Sequence, residues 1–362
     1  MKMIGILEKF MTAFGPSGYE KEIACRFKEE ISKTADDVSL DRPGNVIAHY
    51  KGRDPEAPVV MLFAHMDQLG FIVRNITADG FVQFDRLGGI AEKVLPGQRV
   101  CIAAQDGSLV PAVFGNKSHH ASAAEDKYKV DQIADMYLDL GASSMAEVLG
   151  YGVDVGVPAI FKPSFETLGN GFVSGTAVDN RGGLSALVRT GEVLAEIPHD
   201  CTVYIVGTVW EEFNLRGAML AARSIQPDIA ICIDVVLTGD TPDLSGRYNV
   251  ACGRGPAVGM YNFHGRGTLN GTIAHSGLVR LAQETANKKG IPLQRFASVG
   301  ILTDLSYVQL EGKGAACLDL GFPARYTHTP VEVANINDIA LTGDLAGHMI
   351  CSISAGFDLN RY

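Results

Sequence analysis

Residues 59–64, Val-Val-Met-Leu-Phe-Ala, constrain this chain more than any other stretch. Six consecutive apolar residues rich in strand formers leave no polar face for water. Such a strand is buried on both sides, as in a parallel sheet covered by helices. The run ends in His65-Met66-Asp67. In open α/β sheets ligands bind beyond the C-terminal ends of the strands. A histidine and an aspartate at that end are therefore candidates for chemistry.

The same texture recurs in CTVYIVGTV (201–209), DIAICID (228–234, ending the strand at Asp234) and GAACLDLG (314–321). Helical patterns alternate with these strands: LSALVRTGEVLAEI (184–197), a helix from about Arg216, one over about 272–289 and one over about 336–352. Near the start, residues 1–14 read as an amphipathic helix. Ile23, Phe27 and Ile31 then mark one face of a second helix, with Ser17 and Glu20 as its capping box. Pro43-Gly44 is the turn of a hairpin. Alternating strands and helices predict an α/β fold with a doubly wound, mostly parallel sheet.

Between residues 70 and 165 the pattern changes. FIVRNI, FVQFDRL, RVCIAA and LVPAVF are short, with Asp79-Gly80 and Asp106-Gly107 between them as hairpin turns. This predicts an inserted small β-barrel-like domain (70–165) within a catalytic domain made of 1–69 and 166–362. The polar stretch 115–132 is expected to be a mobile loop.

A net charge of −10 disfavours nucleic acid and anionic membrane as partners. The seven cysteines are odd in number and form no C-x-x-C pair, as expected of buried free thiols in a reducing compartment. The N-terminus lacks the features of a signal peptide. Apolar stretches reach only about eight residues, against roughly 18 for a membrane span. A cytoplasmic protein is expected.

His65, Asp179, Glu211, Glu212, Asp234 and His328 each fall at the end of a predicted strand or in the loop after it. A parallel sheet would gather them on one edge. Any one of them alone would most simply be a satisfied structural group. Together they place charge after nearly every core strand, where burial without partners is costly. Imidazoles and carboxylates without thiolates suit a divalent ion such as Zn, Co or Mn. Two ions about 3.5–4 Å apart need a bridging ligand, usually a carboxylate. These six residues supply that set and leave one carboxylate as a base. Asp67 is placed to orient His65. A glycosidase needs only two carboxyl groups about 5–10 Å apart and has no role for the histidines.

The strings AHMDQLGFIV, SGTAVDNRGG, TVWEEFNLRGA, IAICIDVV, TDL and RYTHTPVE occur in the order of the motifs of the tetrahedral-type metallo-aminopeptidases. The chain resembles that family, glutamyl and leucyl aminopeptidases among them, over nearly its whole length. Members are sometimes labelled cellulases. The resemblance implies two divalent ions per subunit, Zn or Co before Mn. His65 and Asp234 would hold one, Glu212 and His328 the other, and Asp179 would bridge them. Glu211 would be the general base, and Asp67 is a catalytic candidate through its place beside His65. The substrates would be short peptides cut at the N-terminus. The inserted domain would mediate homo-oligomers from dimer to hollow dodecamer, its loop near His119 and His120 reaching a neighbour.

Four positions depart from the family pattern: Gln68, Asn180, Trp210 and Asn214. They put substrate preference in question more than hydrolysis, and keep open a deacylase acting on a small amide. A catalytically retired binding protein is the further alternative. Asp304 either meets the substrate ammonium, supports the site or caps a turn. Arg325 either binds substrate or pairs with a nearby acid.

Overall fold

The computed structural model describes residues 2–265 and 271–361. Its larger sheet has twelve strands. Four of them form a parallel centre in the order Val203–Thr208, Val60–His65, Ile229–Leu237 and Ala316–Arg325. A branch strand, Ala257–Phe263, pairs antiparallel with Ala316–Arg325 and Gly271–Ile273 and parallel with Gln294–Val299, and both ends of the main path are antiparallel. On one side lies the hairpin Asp37–Leu40 and Val46–Tyr50, turned at Pro43-Gly44. On the other lie Glu332–Asn335, Phe172–Gly175 and Phe165–Thr167.

The apolar strands sort their side chains by parity. Val60, Leu62 and Ala64 join Ile229, Ile231 and Ile233 in one core cluster. Met61 and Phe63 join Ala230 and Cys232 in another. The first cluster is covered by helices Lys2–Met11, Lys21–Ile31, Val178–Glu196, Ser276–Lys289 and Ile336–Ile350. The second is covered by Gly217–Ile225 and Leu305–Val308. The sheet is thus wound on both faces, which is why its strands carry no polar side. Burying each large apolar side chain contributes about 1.5–3 kcal/mol. Helix ends are marked locally: Asn335 accepts from Asn337 N at 2.9 Å, and Gly290 closes its helix at φ 67°.

A second, antiparallel sheet uses the strands from Gly70–Ile76 to Pro158–Phe161 and closes on itself as a six-stranded barrel. Phe71 is at its centre, edge-on to Phe84, Phe114 and Phe161 with ring centroids 5.4, 5.0 and 5.2 Å away. The exposed stretch 115–132 carries one short 3-10 turn at His119–Ala121. All seven cysteines are free. Among the described residues no helix is long and apolar enough to cross a membrane.

Three expectations change. The helix expected over about 272–289 begins only at Ser276, because Gly271–Ile273 is a strand paired with Ala257–Phe263. The strand expected to end at Asp234 runs on to Leu237, because Ala316–Arg325 pairs with it to the end. Ser17 and Glu20 form no capping box: Glu20 makes no side-chain cap bond, and both side chains are engaged elsewhere.

Candidate active site

Hydrogen bonding between Val60–His65 and Ile229–Leu237 stops at the Phe63–Cys232 pair. Beyond it a cavity of about 580 Å³ opens. His65, Asp179, Glu211, Glu212, Asp234 and His328 all line this cavity. His65 ends its strand, Asp234 lies within Ile229–Leu237 just past the point where that pairing stops, Asp179 stands at the start of helix Val178–Glu196, and Glu211, Glu212 and His328 come from loops that follow strands.

His65 Nδ1 lies 3.0 Å from the Asp67 carbonyl oxygen. A carbonyl only accepts, so Nδ1 carries the hydrogen and Nε2 is offered to the cavity. Nε2 lies 3.1 Å from Asp179 Oδ1, 3.8 Å from Asp234 Oδ1 and 3.9 Å from Glu211 Oε2. The other Asp179 oxygen, Oδ2, lies 3.6 Å from His328 Nε2, itself 3.8 Å from Glu212 Oε1. Two groups of potential ligands, His65/Asp179/Asp234 and Asp179/Glu212/His328, thus share Asp179 through different oxygens. Within each, the ligand atoms lie within 4.8 Å of one another. His65, Glu211 and Glu212 form a third such group.

The site concentrates negative charge. Burial pushes the Glu211 carboxyl well above its usual range; His65 opposes this and Glu212 adds to it. Burial lifts Glu212 to about 7, with His328 opposing and Asp179 adding. Burial would lower the His328 imidazole, but Glu212 and Asp179 outweigh it and raise it to about 9. Glu212 Oε1 is buried without a hydrogen-bond partner. An unmatched buried carboxylate oxygen is costly, and a cation relieves it. The oxygen and nitrogen donors present fit a borderline divalent ion.

A ring of further contacts holds these groups. Asp67 accepts from Glu211 N at Oδ1 and from Glu212 N at Oδ2, each at 3.0 Å. Glu332, 1 % exposed, accepts from Asp179 N at 2.9 Å and from His328 N at 2.8 Å. Gly89 O lies 2.6 Å from His328 Nδ1, so a loop of the barrel sets the tautomer of this second imidazole. At neighbouring Gly88, φ is +95°, a conformation that strains any residue with a Cβ, and a Cβ there would displace Leu69 Cδ2, 2.4 Å away.

Left-handed non-glycine residues flank the cluster: Ala177 (φ 60°), Trp210 (62°), Asn214 (71°), Leu215 (57°), Tyr326 (59°) and His328 (62°). Such residues persist where the surroundings over-determine them, commonly at functional sites. Asn214 is one of the four departures, and asparagine tolerates this conformation better than most residues. Asn180 bonds to Ile233 O at 2.8 Å and to Gly183 N at 3.0 Å. Gln68 Oε1 accepts from the fully buried Arg181 Nη2 at 2.9 Å. Burial draws Arg181 down to about 9, against the pull of Asp67 and Glu20.

The two expected substrate contacts lie outside the cavity wall. Asp304 is 2 % exposed and accepts from Thr208 Oγ1 at 3.1 Å. It faces the site from behind, and burial raises it to about 7. Arg325 is held by Asp240 at 3.0 and 2.7 Å and lies over the Phe172 ring at 4.9 Å. Of the alternatives kept for it, the nearby acid is the one the geometry provides. Glu332 and the Gly88-Gly89 pair carried no assignment from the sequence. A glutamate inside an apolar stretch and a paired glycine before a strand-rich segment were the available signals.

The profile of the M42 glutamyl aminopeptidase family matches residues 44–345. A lysyl aminopeptidase of Pyrococcus furiosus is 32% identical over 343 residues, covering 94% of each chain. The solved aminopeptidase APDkam598 of Desulfurococcus kamchatkensis superposes with a TM-score of 0.92 at 32% identity, covering 98% of this chain and 96% of that one. The Pyrococcus horikoshii TET1 peptidase, described as able to assemble into a tetrahedron or a large octahedral shell, gives 0.84 at 30% identity over 97% and 99%. This chain therefore belongs to the M42 glutamyl aminopeptidase family and is a hydrolase of peptide bonds.

Proposed function

We propose that this chain removes N-terminal residues from short peptides using two divalent cations, Zn or Co before Mn. The observation that carries this is Asp179. Its two oxygens face two separate sets of imidazole and carboxylate. His65 and Asp234 would hold one cation, Glu212 and His328 the other, with Asp179 between them. Bound there, the cations supply Lewis acidity toward the scissile carbonyl and acidify water.

Glu211 is the general base in this reading. Its carboxylate lines the cavity, with Oε2 3.9 Å from His65 Nε2, where it can take a proton and return it to the leaving amine. Asp67 fixes the backbone amides of both glutamates and so separates their tasks. Leu215, Val235, Leu237, Ile301 and Leu302 give the cavity an apolar wall for a substrate side chain.

The unit 70–165 is proposed as the assembly module and 1–69 with 166–362 as the catalytic one. The horikoshii relative's shells support a homo-oligomer, and a cytoplasmic location is part of the same reading. Nucleic acid and membranes have no part in this reading.

The test is to reconstitute the protein with Zn, Co or Mn and assay amino-acid amides, each with a free amine and with an N-acetyl cap. Cleavage of free-amine substrates alone is expected. Cleavage of the capped forms would establish a deacylase instead. Glu211→Gln should keep metal and lose turnover, and Asp179→Ala should lose metal. An active glutamine variant removes Glu211 from its role.

A further inference from the structure

Residues 15–20 take no part in the reaction as proposed, yet they bond closely to the residues that do. Gly15 O accepts from Gln68 N at 3.0 Å and from Arg181 Nη2 at 3.4 Å. Pro16 forms an isolated parallel bridge with Gln68. Ser17 Oγ donates to Asp67 Oδ2 at 2.6 Å, the oxygen that also takes Glu212 N. Glu20 Oε1 accepts from Gly18 N at 2.9 Å and from Trp210 N at 3.2 Å. Ser17 and Glu20 are 5% and 6% exposed. The strap has no slack: a Cβ at Gly15 would lie 2.7 Å from Ile23 Cγ2 and 3.1 Å from Arg181 Nη2.

Trp210 precedes Glu211 and has φ 62°. A bulky residue does not hold that conformation without outside restraint. The bond from its amide to Glu20 is such a restraint. The bond from Ser17 fixes the carboxylate on which both glutamate amides hang. One short segment therefore grips the catalytic loop at its entry and at its anchor.

We propose that Ser17 and Glu20 are positioning residues that set the direction of Glu211. This rests on the assignment of Glu211 as base. Contacts that orient reacting groups at one remove typically account for about 10–100-fold in activity.

The experiment compares Ser17→Ala and Glu20→Ala with Ser17→Thr and Glu20→Gln, which retain a donor and an acceptor respectively. Each is measured as metal-loaded full-length protein for kcat, KM, metal content and Tm. Trp210 is the only tryptophan in the chain. Its emission and acrylamide quenching therefore read the loop directly, without turnover. The alanine variants should lose about 10–100-fold in kcat with KM and metal content held, and should alter Trp210 quenching. The threonine and glutamine variants should recover most of the loss. Wild-type kcat in both alanine variants overturns the proposal. So does a loss that comes with lost metal or a lowered Tm and is not recovered by the conservative variants. A wild-type protein that cleaves no amide refutes the proposed function instead; the quenching then decides, and an unchanged signal in both alanine variants overturns positioning.

Discussion

Replacing Asp67 by asparagine removes one charge and one acceptor while keeping the shape. Asp67 is fully buried, and each of its oxygens takes a glutamate amide at 3.0 Å. In Asp67→Asn one oxygen becomes an NH2 group facing an N–H, donor against donor. A hydrogen bond to a charged group contributes about 1.5–3 kcal/mol. Spread over a barrier at about 1.36 kcal/mol per tenfold, losing one such bond predicts a fall in kcat of roughly 10- to 150-fold. His65 should stay in place, because its Nδ1 bonds to the main-chain oxygen of residue 67 at 3.0 Å and lies farther, 3.6 Å, from the side-chain Oδ1. Metal content should therefore hold. The assay is kcat and KM on the best amide of the panel, with metal stoichiometry measured on the same sample. A wild-type kcat would refute the claim that Asp67 orients the glutamates. A kcat loss matched by metal loss would mean that Asp67 serves the ligands instead.

Three further outcomes follow from contacts elsewhere. Glu332→Ala should weaken metal retention by about 10–100-fold in a chelator competition, since Glu332 holds the amides of both Asp179 and His328; unchanged retention would make it a packing residue only. Phe71→Ala should cost about 3–5 kcal/mol in denaturant unfolding, because it empties the centre of the barrel's aromatic cluster; a loss under about 1 kcal/mol would mean the cluster closes over the gap. Burial raises Asp240, but its bonds to Arg325, Thr238 and the Cys252 amide together outweigh this and leave the carboxyl below its usual range. A depressed folded pKa stabilises above the unfolded value and loses that contribution as pH falls through the folded one. The stability gap between the native protein and Arg325→Met should therefore be constant above about pH 5 and shrink below about pH 4; a gap that widens toward acid would contradict the pair.

The sequence alone determined the parts whose causes are local. Residues 59–64 specify a strand buried on both faces because a wholly apolar run leaves no polar side for water, and Val60–His65 is buried along its whole length. Charged residues placed after such strands located His65, Asp179, Glu211, Glu212, Asp234 and His328, which share one cavity. Tertiary structure decided what depends on distant partners. The extension of the strand past Asp234 comes from pairing with residues 322–324, and the antiparallel flanks from which edges happened to meet. Glu332 and Gly89 entered the site through bonds to His328, and Ser17 left its expected cap for Asp67 fifty residues away. Arg325 chose Asp240, 85 residues distant, over the cavity. Hydrophobic period follows from neighbours along the chain. Which oxygen of Asp179 faces which imidazole follows only from where folding sets the separate loops in space.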